Sequence, residues 1–173
     1  MIRMLGAMVD VSERAEQLVS MLEAQLAEAR ARAERLPRRP KVFFEEWDDP
    51  LISGIGWVSE LVEIAGGVDI FGDRAHHASA KDRFVMLEEV VARSPDLIMG
   101  SWCGKKFRPE RVDARPGFED VPAVQHGQLY EIKSPLILQP GPAALTDGLE
   151  ALQRIIERWA GGGTASCSCR VCT

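Results

Sequence analysis

The chain has 173 residues, 46% of them hydrophobic and 27% charged, with a formal net charge of −5 at pH 7. That length suits one well-packed domain, since about 150 residues can bury roughly 70% of the unfolded surface, and the acidic balance argues against a nucleic-acid partner, which needs a clustered cationic surface. No window approaches the roughly 18 consecutive apolar residues of a membrane-spanning helix.

The opening, MIRMLGAMVDVSERAE, has an apolar stretch interrupted by Gly6 and ended by Asp10, too short for an export signal. The chain taken by itself is therefore expected in the cytoplasm. Residues 1–9 are expected to be a short remnant in front of the first helix. Over 10–36 the apolar residues Val11, Ala15, Leu18, Leu22, Leu26, Ala29, Ala33 and Leu36 recur at intervals of three and four, which predicts one long helix. Asp10 and Glu13 resemble a capping box, and Pro37 is the expected stop. At 1.5 Å per residue this helix would be about 40 Å long. The basic run Arg30, Arg32, Arg35, Arg38, Arg39 and Lys41 reads as a solvated helix end whose charges suit the negative end of the helix dipole.

Residues 41–46 read as a buried strand, 57–64 as a helix stopped by Gly66 and Gly67, and 68–71 as a short extended piece. A polar loop over 73–81 precedes a helix over 85–92 and a second buried strand over 96–99. Then follow a helix over 109–114, a short helix or turn over 116–124, a third strand over 128–132 and an amphipathic helix over 141–159. Strands separated by helices imply a mostly parallel sheet with helices on its faces, a three-layer α/β/α lobe over 37–160. The tail, 161–173, has three of the four cysteines in a C-x-C-x-x-C pattern. Such thiols can serve a soft metal, but a closed zinc site wants four ligands, so an unstructured extension is the simpler expectation.

The stretch 41–67, KVFFEEWDDPLISGIGWVSELVEIAGG, carries the most information. Ligands of open α/β sheets bind beyond the carboxyl ends of the strands, where the loop starting at Trp47 should lie. No G-x-S-x-G elbow, H-E-x-x-H pair, P-loop or G-x-G-x-x-G occurs, and Cys103 and Ser101 have no identifiable base, so a binding protein is expected rather than an enzyme.

An apolar strand, then EEWDDP, GWVSELVEIAGG, EEVVARSPDLIM, PGFEDVPAVQHGQLYEI and PGPAALTDGLEAL, in that order, resembles the C-terminal half of substrate-binding proteins of ABC importers for cobalamin and iron-siderophores. The acidic-aromatic loop and the PGP helix start are most similar to the cobalamin-binding branch, and the resemblance covers about Leu5 to Arg158. It implies that 10–36 is the helix connecting two lobes and that the ligand, cobalamin or an iron chelate, lies in the cleft between them. An ABC permease is the implied partner and the periplasm the implied location. On that reading Trp47 and Trp102 offer flat ring faces to a macrocycle, with Asp48, Cys103 and Leu138 beside them. Trp57, one turn into its helix, is weighed between ligand contact and half-buried packing. Glu46, Asp49 and Glu60 are expected on the lobe surface to meet permease arginines. His76 and His77 could ligate a chelated metal, although a loop pair of this kind is usually only solvated. Ser134–Pro142 is either a cleft loop or the buried end of the sheet. The competing expectation is a homodimer formed through the uncovered long helix or the cleft face, without a small ligand.

Overall fold

The computed structural model describes residues 1–162. Its centre is a five-stranded sheet of β1 (Lys41–Asp48), β2 (Leu51–Ser53), β3 (Val68–Asp69), β4 (Leu97–Gly100) and β5 (Leu129–Glu131). Strands run β2-β1-β4-β5, with β3 joined to the start of β1. β3, β4 and β5 continue the parallel direction of β1, whereas β2 folds back on it as an antiparallel hairpin arm. Both faces are covered, so β1 and β4 read as continuous apolar runs instead of alternating ones.

On one face Val42, Phe44, Leu97 and Met99 pack against α2 (Ser12–Ala33), α3 (Gly56–Ile64) and α8 (Leu149–Ala160). On the other, Phe43 and Ile98 pack with residues of α4 (Leu87–Arg93), α5 (Pro109–Asp113) and α6 (Pro122–Gln125). This is the mostly parallel three-layer lobe expected from the strand and helix pattern. α3 ends where Gly66 adopts φ +97°, and a Cβ there would lie 2.5 Å from Leu36 Cδ1, so glycine serves both the turn and the close approach of α2.

The long helix departs from expectation at its start. Residues 2–8 form a helix of their own, α1 (Ile2–Met8), and Asp10 takes a left-handed turn at φ +54° before α2 begins at Ser12. Val11, not Asp10, is the N-cap, and no side chain caps the end, so the capping box is absent. The reversal lays α1 on α2: Arg3 donates to Glu16 at 2.7 and 2.9 Å, and a Cβ at Gly6 would meet that of Ala15 at 2.3 Å. With 22 residues, α2 is about 33 Å long.

Only Ala15, Leu22 and Ala29 of α2 are buried, seven residues apart, which makes a narrow seam. The basic run is more engaged than a solvated end. Arg32 donates to Gln153 at 2.7 Å, Arg38 stacks over Trp159 at 4.0 Å, and Arg39 donates to Glu63 and to the carbonyls of Gly66 and Gly67. These contacts tie α2 and the strand entrance to α3 and α8. The helix expected over 141–159 contains a π-type turn, Ala144–Gly148, before α8, and the short α7 (Ser134–Ile137) precedes it. The tail cysteines Cys167, Cys169 and Cys172 lie outside the described residues.

Candidate functional site

The parallel strands point their carboxyl ends at one edge, and the segments leaving β1, β4 and β5 meet there. β1 runs two residues further than expected, through Trp47 and Asp48, because residues 47 and 48 pair with Ile52 and Leu51 across the Asp49–Pro50 turn. A register irregularity between Glu45 and Trp47 re-aims the end of the strand. Trp47 is therefore a strand residue rather than a loop residue. Its Nε1–H donates to the Asp49 carbonyl at 2.8 Å, and the Lys105 ammonium sits 4.1 Å from its ring centroid. The ring expected to lie open thus carries a cation on one face.

Three carboxylates of β1 hold the surrounding segments. Glu45, fully buried, accepts two bonds from the Arg115 guanidinium, both at 2.7 Å, and one from Trp102 Nε1–H at 2.9 Å. Burial pushes its carboxyl up from the ordinary range, while Arg115 and Trp102 oppose that shift. Glu46 pairs with Arg83 at 2.6 Å; Arg83 is 2% exposed and also donates to the Ser53 carbonyl. Asp48, with 2% of its side chain exposed, lies between Lys105 at 2.9 Å and Arg111 at 2.8 Å. Burial works to raise the Asp48 carboxyl, but the Lys105 hydrogen bond and the two positive charges outweigh it and hold the group below the usual carboxylate range.

Several expected site residues change role. Trp102 is 2% exposed, its ring edge-on to Phe107 at 5.0 Å, because a buried indole N–H needs a partner and Glu45 supplies it from inside. It presents no open ring face. Asp48 and Glu46 are committed to cations of their own lobe instead of standing free for a ligand or a permease. Asp49 and Glu60 are exposed, as expected. Cys103 is an exposed free thiol beside Trp102, and buried Ser101 leaves its Oγ without a hydrogen-bond partner. Leu138 is half-buried against the main core, and its neighbour Ile137, the last residue of α7, is fully buried. Trp57 is also half-buried, donating to the Ile137 carbonyl at 3.0 Å. His76 and His77 are exposed with ring centroids 4.0 Å apart. Among the described residues no group of three or more His, Cys, Asp or Glu could hold a metal ion, and no helix is long and apolar enough to cross a membrane.

Two cavities flank the segment 134–142. One, of about 530 Å³, lies between the exits of β4 and β5 and is lined by Trp102, Lys105, Lys106, Glu131, Lys133 and Ser134 among others. The second, about 440 Å³, is apolar and lies between α1 and the start of α3, with Ile2, Val19, Trp57, Pro140 and Leu145 in its walls. The lysines of the first cavity were not singled out from the sequence. Adjacent Lys105 and Lys106 after an apolar strand were the available signal.

The sequence profile of a family described as periplasmic binding protein matches residues 1–136. The chain belongs to the periplasmic binding protein family. Among curated relatives, an uncharacterized ABC transporter substrate-binding lipoprotein, YvrC of Bacillus subtilis (strain 168), is 24% identical over 160 residues, 90% of this chain and 48% of the relative. The chain thus spans about half the length of that relative. Two solved structures share the fold of this periplasmic binding protein lobe. A possible iron-binding (periplasmic solute-binding) protein of Staphylococcus epidermidis superposes with a TM-score of 0.76 at 20% identity, covering 90% of this chain and 59% of that one. The periplasmic heme-binding protein RhuT from Roseiflexus sp. RS-1 gives 0.70 at 24% identity, covering 90% and 61%.

Proposed function

We propose that this lobe forms one wall of a substrate-binding site that captures a metal chelate of the cobalamin or iron-chelate kind and delivers it to an ABC permease, outside the cytoplasm and without catalysis. The observation that carries this reading is the 530 Å³ cavity at the carboxyl ends of β4 and β5, where open α/β sheets bind ligands. Family membership supports the transport role, and the names of the heme-binding and iron-binding structural relatives support a chelate as cargo. Trp47, Cys103, Lys105 and Ser134 are the residues proposed to meet the ligand, with Trp102 reaching it only by an edge. Asp49 and Glu60 remain the proposed permease contacts, and α2 the connection to a second lobe.

A second reading, association of two copies, has one observation in its favour: α1 and the turn after it expose Met1, Met4, Leu5, Met8 and Val9 beside the apolar cavity. Titration with haemin and with cyanocobalamin, read by tryptophan fluorescence and by light scattering, separates the two. Saturable quenching at constant mass supports capture, whereas a dimer indifferent to both compounds supports association and removes capture.

A further inference from the structure

The chain is acidic overall, yet the wall between β4 and β5 is not. Lys105, Lys106 and Lys133 all line its cavity, and all three are exposed. Among the described residues Lys106 and Lys133 have no carboxylate within ion-pair distance. The acid that shares the lining, Glu131, is 9% exposed and turns Oε1 to the backbone N–H of Phe107 at 3.2 Å. Lys105 is the exception in being paired. If it swings away, Asp48 loses the Lys105 hydrogen bond but keeps the Arg111 charge at 2.8 Å, so the buried carboxylate retains a counter-ion and an incoming anion has only the hydrogen bond to offset. Withdrawal of Lys105 would also uncover the face of Trp47 that it occupies at 4.1 Å.

We infer that this wall selects an anionic chelate, one that presents acidic oxygens such as carboxylates to Lys106 and Lys133 while a third draws Lys105 from Asp48 and frees the Trp47 ring for stacking. The inference rests on the capture reading and narrows its cargo. A net-neutral corrinoid gains nothing from ammonium groups already satisfied by water or, for Lys105, by Asp48, and a cationic chelate is repelled by them. Lysine, a compact charge on a flexible stem, can follow acidic oxygens whose spacing differs from one ligand to another, which the fixed fork of arginine cannot.

The test uses the full chain and four probes of different charge: haemin and ferric citrate as anions, cyanocobalamin as the net-neutral compound and ferrioxamine B as the cation. Affinities are measured by tryptophan quenching at low and at moderate ionic strength. The expected result is that an anionic probe binds at least about tenfold tighter than the other two classes and weakens with salt. Replacing both lysines, Lys106→Gln with Lys133→Gln, is expected to lower that affinity by about tenfold or more at an unchanged melting midpoint, because both side chains are exposed. Equal or tighter binding of cyanocobalamin or ferrioxamine B, or an anion affinity untouched by the double substitution, overturns charge selection while leaving capture standing. Failure of all four probes to bind overturns capture and the inference together.

Discussion

The Asp48 carboxylate, buried at the end of β1, holds the Lys105 ammonium at 2.9 Å and so parks it over the ring of Trp47. Asp48→Asn keeps the shape but removes the charge. Lys105 and Arg111 are each about half exposed and regain water, so the cost in stability should be small, about 1 kcal/mol. The cation should leave the ring, which a change in Trp47 fluorescence would report. An unchanged spectrum and an unchanged denaturation midpoint would contradict the pairing.

The same carboxyl sets a pH dependence. Its folded pKa is depressed, so its stabilising contribution is present above the unfolded value, about 3.9, and disappears as pH falls through the folded value. Urea midpoints measured from pH 6 downward should therefore fall less steeply for Asp48→Asn than for the natural chain. Parallel curves would count against the linkage.

Glu45 is costlier to lose. Glu45→Ala leaves the Arg115 guanidinium, 11% exposed, without its two acceptors, and the Trp102 N–H without one. A stranded charge of this kind destabilises by about 3–5 kcal/mol, which chemical denaturation can read directly. A loss below about 1 kcal/mol would mean that water reaches the guanidinium.

Glu46 and Glu60 should separate structural from docking carboxylates. Glu46→Ala strands buried Arg83 and should cost about 3 kcal/mol. Glu60→Ala and Asp49→Ala alter exposed positions and should stay within about 0.5 kcal/mol of the natural stability. On the transport reading these two should still slow association with the permease in a salt-dependent way, measurable as reduced stimulation of its ATPase. Full stimulation by the double variant would remove both residues from the docking surface.

Gly100 closes β4 beneath Phe107, and a Cβ there would come within 1.9 Å of the ring. Gly100→Ala must displace a phenyl group that is 2% exposed, at a cost of about 1–3 kcal/mol. Because Phe107 N–H binds Glu131, the shift should also disturb the lysine-lined cavity. A melting temperature equal to that of the natural chain would show that the ring has room to move.

Residues with local causes were legible in the sequence. Val42 to Phe44 and Leu97 to Met99 announce buried strands by unbroken apolar runs, and Leu149, Leu152, Ile155 and Ile156 mark the inner face of α8 by their spacing. Residues whose causes lie far along the chain were not. Glu45, Glu46 and Asp48 look like the solvated exit of a strand, because the arginines and lysine that neutralise them come 37 to 70 positions later. For the same reason Trp102 looked like a free ring, whereas β1 continues through Trp47 by a local hairpin with Ile52 and Leu51 that the polar EEWDDP run did not announce. Gly6 read as a break in an apolar run, although its lack of a side chain is what lets α1 lie against Ala15.

The spacing of anchors along β1 has a bearing on how such a lobe can be altered. Glu45 secures the turn carrying Arg115, Glu46 the turn carrying Arg83, and Asp48 the loop carrying Lys105. The moorings overlap, since Glu45 also accepts from Trp102 and Asp48 also pairs with Arg111, so the 102–106 loop and the 109–115 segment are each tied to two residues of one strand. Residues 103–106 can therefore be redesigned while Trp102 stays on Glu45 and Arg111 stays on Asp48, which makes that short stretch a natural point for grafting new ligand preferences onto an unchanged frame.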